Sequence, residues 1–184
     1  MQHRHPAEGF TMIELMVVIA IVAVLAAVAV PVFMENARKA KTTEAPVNLE
    51  RIYSNSRVYI FAAHASRGTI APIPLQFPAA EAKSPAASCC TFAGEKCPPN
   101  AAVWQASPTW TALAFSVDDP SYFNYEYGST GTAVTGPGSN FTARALGNLD
   151  CDATFSTFEL VGTFTATEQG ILGSAGMYVN HPTE

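Results

Sequence analysis

Glu14 stands at the edge of a run, Leu15 to Met34, in which no side chain is ionisable. A charged carboxylate held in hydrocarbon costs several kcal/mol unless it is paired or protonated, so an acid placed there implies a counter-charge and a task. Four cysteines, Cys89, Cys90, Cys97 and Cys151, all lie beyond that run. An even number on one side of a membrane-length segment favours disulfides in an oxidising compartment, because a thiolate metal cage needs tighter paired spacing. A bridge between the neighbours Cys89 and Cys90 would force the peptide between them into strain. Two pairings stay open: one of the two joins Cys97 and the other joins Cys151.

Asp150, Asp152 and Thr154 occupy alternate positions, the opening of an oxygen-ligand loop for calcium. The later positions depart from that pattern, with Phe155 where a glycine is needed and Val161 where an acid is needed. Calcium held by Asp150, Asp152 and Glu159 is one expectation. The other is a strand-connecting turn with side-chain caps, stapled by Cys151. No glycine-rich phosphate cradle, GxSxG elbow or HExxH helix occurs, and His3, His5, His64 and His181 have no evident partners in the sequence. Catalysis is not expected. A net charge of -5, spread along the chain without a basic face, makes nucleic acid an unexpected partner.

The elements that position these residues follow from the same patterns. A helix over roughly 20 uncharged residues rises about 30 Å, the thickness of bilayer hydrocarbon. Pro31 falls inside it and should soften or kink it. Beyond it, residues 35–68 keep helical character, with Val47, Leu49, Ile52, Tyr53, Val58, Tyr59, Ile60, Phe61 and Ala62 expected on one buried side. Pro46 should bend or interrupt this segment and Gly68 should stop it. If helical throughout, residues 10–66 span on the order of 85 Å. Residues 69–109, rich in Ala, Pro and Ser, read as a long surface loop holding three of the cysteines. From Trp110 the runs WTALAFSV, YFNYEYGS, NFTARALGNLD and TFSTFELVGTFTA read as an antiparallel sheet of about four strands. The expected class is α+β: a long N-terminal helix, apolar in its first half and amphipathic in its second, packed on a C-terminal antiparallel sheet.

A secretory signal carries its small-residue cleavage site after the apolar core. Here Gly9 precedes the core, so cleavage there leaves the helix on the mature chain. The stretch G-FTMIEL followed by an apolar run resembles the class III leader of type IV pilins and of the related pseudopilins of type II secretion. The resemblance implies a leader of residues 1–9, cleavage between Gly9 and Phe10 by a prepilin peptidase, and methylation of the new Phe10 amine. It also implies a polymerisation helix over residues 10–34, followed by the amphipathic helix of 35–68, the loop of 69–109 and the sheet of 110–184. Glu14 becomes the fifth residue of the mature chain, assigned to filament assembly. Four residues separate it from Phe10, which would set the amine and the carboxylate on one helical face. Pro31 matches the proline at which family helices curve or melt.

Two features depart from the family pattern: Glu8 stands where a basic residue is usual, and Arg38, Lys39 and Lys41 follow the span. On the positive-inside rule those three charges would hold that end in the cytoplasm, opposite to the orientation of a pilin. The leading expectation is a structural subunit of a type IV pilus used in motility or adhesion. It would lie in inner-membrane lipid as a precursor, then assemble with copies of itself, served by the pilus machinery, into an extracellular filament. The alternatives are a periplasmic pseudopilin of a type II secretion system and a single-pass anchor that presents a binding head without polymerising.

Overall fold

The computed structural model describes residues 9–62, 75–166, 170–174 and 176–183. It divides into two compact units, one ending at Ala37 and the other beginning at Arg38.

The helix α1 runs from Met12 to Thr42 and passes through Pro31 without a break. None of its residues is buried, and from Met12 to Met34 every apolar side chain faces outward. It is long and apolar enough to cross a membrane. The helix stops at Thr42 and resumes at Glu44 as α2, Glu44–Phe61. Pro46 accounts for the stop. Its ring would strike the carbonyl four residues back, that of Thr42, and it has no N–H to donate there. As the third residue of α2, where N–H groups have no helical acceptor anyway, it is tolerated. The hydroxyls of Thr42 and Thr43 donate to the carbonyls of Lys39 and Ala40, at 2.7 and 2.8 Å, and satisfy the frayed end of α1.

In α2 the buried stripe is Ala45, Leu49, Ile52, Ser56 and Ile60, spaced three or four apart. This corrects the side expected from the sequence, since Val47 and Val58 are 69% and 70% exposed and Phe61 is half-exposed. Ser56 enters the stripe because its hydroxyl bonds to the Ile52 carbonyl at 2.8 Å and accepts from the Tyr127 hydroxyl at 3.2 Å. The described helix ends at Phe61. Gly68, expected to terminate it, lies outside the described residues.

The stripe packs on an antiparallel sheet of six strands: β1 Glu81–Ser84, β2 Phe123–Ser129, β3 Asn140–Gly147, β4 Ser156–Thr165, β5 Gly170–Gly173 and β6 Tyr178–Asn180. The first four pair in sequence order; β5 and β6 share the other edge of β4, against its residues 162–165 and 157–159. Alternation in β3 and β4 sets Phe141, Ala143 and Ala145, then Phe158, Leu160 and Phe164, on the inner face. Large residues on β2 sit across from small ones on β3: Tyr125 pairs with Ala145, Tyr127 with Ala143 and Phe123 with Gly147. A side chain at Gly147 would collide with the Phe123 ring, and one at Gly162 with the Phe141 ring.

The sheet differs from the expected one at its start. Trp110 is not in a strand. Asn100 caps a short helix, α3 (Ala101–Ala106), through Ala102 N at 3.2 Å, and Ser107 caps α4 (Pro108–Ala112) through Trp110 N at 3.2 Å. Nor is 69–109 a bare loop, since it supplies the edge strand β1 and α3. Trp110 is fully buried, packs edge-on to Trp104 with centroids 5.7 Å apart, and donates from Nε1 to Ser84 Oγ at 3.0 Å. It joins the helical insert to the sheet.

Candidate functional site

Thr11 is the N-cap of α1 and Glu14 its third residue. The Glu14 amide donates to Thr11 Oγ1 at 3.3 Å, while Glu14 Oε2 accepts from the Thr11 amide at 2.9 Å and from its hydroxyl at 2.8 Å. This reciprocal arrangement is a capping box, and it satisfies two amides that helix geometry leaves unpaired. The pattern T-M-I-E was legible in the sequence as S/T-x-x-E and was missed, because Glu14 was weighed only as a charge. Phe10 precedes the cap and lies outside the helix, 81% exposed. In the uncut chain Thr11 holds the Glu14 carboxylate. A Cβ at Gly9 would meet nothing within 4 Å, so the fold itself places no demand for glycine there.

A second cluster surrounds the turn between the helices. Glu44 Oε2 accepts from the Tyr122 amide at 2.9 Å and Oε1 from the Tyr125 hydroxyl at 3.0 Å; that hydroxyl in turn accepts from Asn48 Nδ2 at 2.7 Å. Burial raises the carboxyl above its ordinary range, opposed by these hydrogen bonds and by the nearby Lys96 charge. The Tyr125 hydroxyl is pushed well above the usual tyrosine range, first by burial and then by the Glu44 charge. Lys41 and Lys96 both place their ammonium groups over the Tyr122 ring, 4.9 and 4.7 Å from its centroid. Arg38 reaches Asp150 at 3.2 Å. Arg38 and Lys41, which follow the apolar run, are thus engaged by Asp150 of the β3–β4 turn and by Tyr122 just before β2.

A family model described as the prokaryotic N-terminal methylation motif matches residues 4–30. The chain is 28% identical over 188 residues to the type IV major pilin protein PilA of Myxococcus xanthus (strain DK1622), covering 91% of this chain and 86% of that one. The chain is similar to a type IV major pilin and carries a prepilin-type methylation motif at its N-terminus. No solved structure matches the chain significantly.

In this pilin-like chain Cys89 bonds Cys97 and Cys90 bonds Cys151. This is one of the two pairings open in the sequence. Cys89 and Cys97 are buried and close a tight loop, whereas Cys90 reaches across to the β3–β4 turn, where Cys151 is exposed with φ at +62°. That turn is built by side chains. Asn148 Nδ2 donates to the Asp152 carbonyl at 2.7 Å, and the Asp152 carboxylate accepts from its own turn at Thr154 N.

The structure does not bring the calcium candidates together. Asp150 faces Arg38, Asp152 caps its turn, and Glu159 lies in β4, where it and Glu126 flank Arg144. Among the described residues no group of three or more His, Cys, Asp or Glu converges.

Proposed function

We propose that the chain is the structural subunit of a type IV pilus, made as an inner-membrane precursor, cut between Gly9 and Phe10 by a prepilin peptidase, methylated at Phe10 and polymerised through α1 into an extracellular filament. The observation that carries this reading is the outward exposure of the apolar side chains of α1 from Met12 to Met34, most of them inside the matched methylation motif. A surface of that kind is stable in lipid or against copies of itself. Cleavage frees an amine at Phe10, four residues before the helix-capping carboxylate of Glu14. Within hydrocarbon an amine and a carboxylate are far better paired than separate, so Glu14 can leave its own cap for the amine of a neighbouring subunit, which sets the axial register. Glycine at position 9 is then demanded by the peptidase, since nothing in the fold requires it. Pro31 removes one backbone bond from α1 and gives the packed helices a place to yield.

Shearing cells and analysing the released material by mass spectrometry tests the proposal. Abundant protein beginning at methylated Phe10 is expected. A processed chain retained by the cell would point to a pseudopilin, and an uncut chain in the membrane to a plain anchor.

A further inference from the structure

We propose that Lys41 and Lys96 form a binding site for the anionic headgroups of the phospholipid leaflet that α1 enters, engaged while the chain is still in the membrane. The inference rests on the reading of residues 12–34 as membrane-embedded.

The chain is acidic overall, with ten lysines and arginines against fifteen acids, yet Arg38, Lys39, Lys41 and Lys96 gather around the end of α1. The gathering is built by the fold. Lys96 comes from a distant part of the sequence and is fixed beside Tyr122 by its neighbour Cys97, which is bonded to Cys89. Cys97 also exchanges two backbone hydrogen bonds with Ser121, of 2.8 and 3.1 Å. Lys41 arrives from the helix. Two ammonium groups therefore flank one half-buried tyrosine ring, and the charges oppose each other unless an anion joins them. Glu44 feels the Lys96 charge, but both of its oxygens already accept from Tyr122 N and Tyr125 OH, and one negative charge leaves the pair of lysines net positive.

Position selects the anion. Lys41 follows the last residue of the uncharged run, Met34, by seven residues, about 10 Å of helical rise. Headgroups extend roughly 5–8 Å beyond the hydrocarbon on each side, and a lysine stem reaches back several ångström toward it. The positive-inside rule gives no reason for basic residues at this end of the span; contact with phosphate-bearing lipid does.

The test uses the full chain in vesicles of phosphatidylcholine, or of phosphatidylcholine mixed with phosphatidylglycerol. Amine acylation is read residue by residue by mass spectrometry. Acylation of Lys41 and Lys96 is expected to slow about fivefold in the anionic vesicles, the factor expected for a lysine at such a surface, with Lys83 in β1 unchanged as the internal control. Lys41→Gln should release much of the protection at Lys96. Equal rates in the two vesicles overturn the proposal. So does protection in phosphatidylcholine that grows with the number of copies per vesicle, which would make the partner a second chain. Protection reproduced by inorganic phosphate would make it a free anion site and also overturns the lipid assignment. Flotation of the chain with both kinds of vesicle reports insertion separately; failure to float would sink the membrane reading as well.

Discussion

The two halves of this chain treat apolar side chains in opposite ways. Between Met12 and Met34 every one of them faces outward, and nothing among the described residues covers them. From Arg38 onward most of the described large rings are interior: Trp110, Phe123, Tyr125, Tyr127 and Phe141 are fully buried, and the hydroxyl and indole groups of Tyr125, Tyr127 and Trp110 find partners. The domain is a finished object and the helix an unfinished one. Marginal stability allows no such apolar surface to remain in water, so the helix takes its energy from lipid or from its copies. Two sets of substitutions should therefore separate cleanly, one acting on assembly and the other on the fold.

The largest expected effect lies in the unfinished half. Glu14→Ala removes the carboxylate that caps α1 and that is assigned to the neighbouring amine, and should reduce sheared filament to background while monomer accumulates in the membrane. Denaturant unfolding of the domain, followed by tryptophan fluorescence, should be unchanged. Filaments at normal yield would remove Glu14 from the mechanism. In the finished half the corresponding change is Trp110→Ala. It empties a fully buried site and removes the indole donor to Ser84, and should cost about 3–5 kcal/mol in domain stability. Membrane insertion should be untouched.

That contrast also explains what could be read from the sequence. The outward helix was legible because its signal is local: an unbroken apolar run, a carboxylate at its edge and a glycine before it. Strands β2, β3 and β4 were legible from alternation for the same reason. The helical insert was not. Ser107-Pro108 is an N-cap followed by a first-turn proline, but five residues are too few to show helical periodicity, and Trp110 looked like a strand residue by composition. On α2, Val47 and Val58 were assigned to the buried side by hydrophobicity alone. The structure instead buries Ala45 and Ser56, whose small side chains fit under the sheet. The cluster around Glu44 joins residues about 80 apart in sequence. No local pattern announces such a contact.

The disulfides sharpen the comparison at the next level of effect. Cys90–Cys151 closes a separation of 61 residues and Cys89–Cys97 one of 8. The longer closure restricts the unfolded chain more, and its loss, in a Cys90→Ser and Cys151→Ser double variant, should cost about 2–4 kcal/mol with α1 unaffected. Its exposure also makes it the first to be reduced. Cys151 is open to solvent, while Cys89 and Cys97 are 3% and 1% exposed. Titration with a thiol, followed by alkylation and mass spectrometry, should label Cys90 and Cys151 before the other pair. Simultaneous labelling of all four would mean that the domain opens as a whole before either bridge is reached.

The smallest effect is expected where the helices meet the sheet. Burial raises the Glu44 carboxyl in the folded domain, against the pull of its hydrogen bonds and of Lys96. Just above the ordinary carboxylate range the folded chain therefore still holds a proton that the unfolded chain has released. Stability from this group is present at low pH and lost as pH rises through the folded value. In Glu44→Gln that dependence disappears, because glutamine does not titrate, although one acceptor oxygen remains for Tyr122 N or Tyr125 OH. Urea midpoints of the two proteins should then move apart in favour of the wild type as the medium goes from neutral to mildly acidic. A constant difference across that range would mean that Glu44 is hydrated in the folded domain, and that its contacts with Tyr122 and Tyr125 do not close this turn against water.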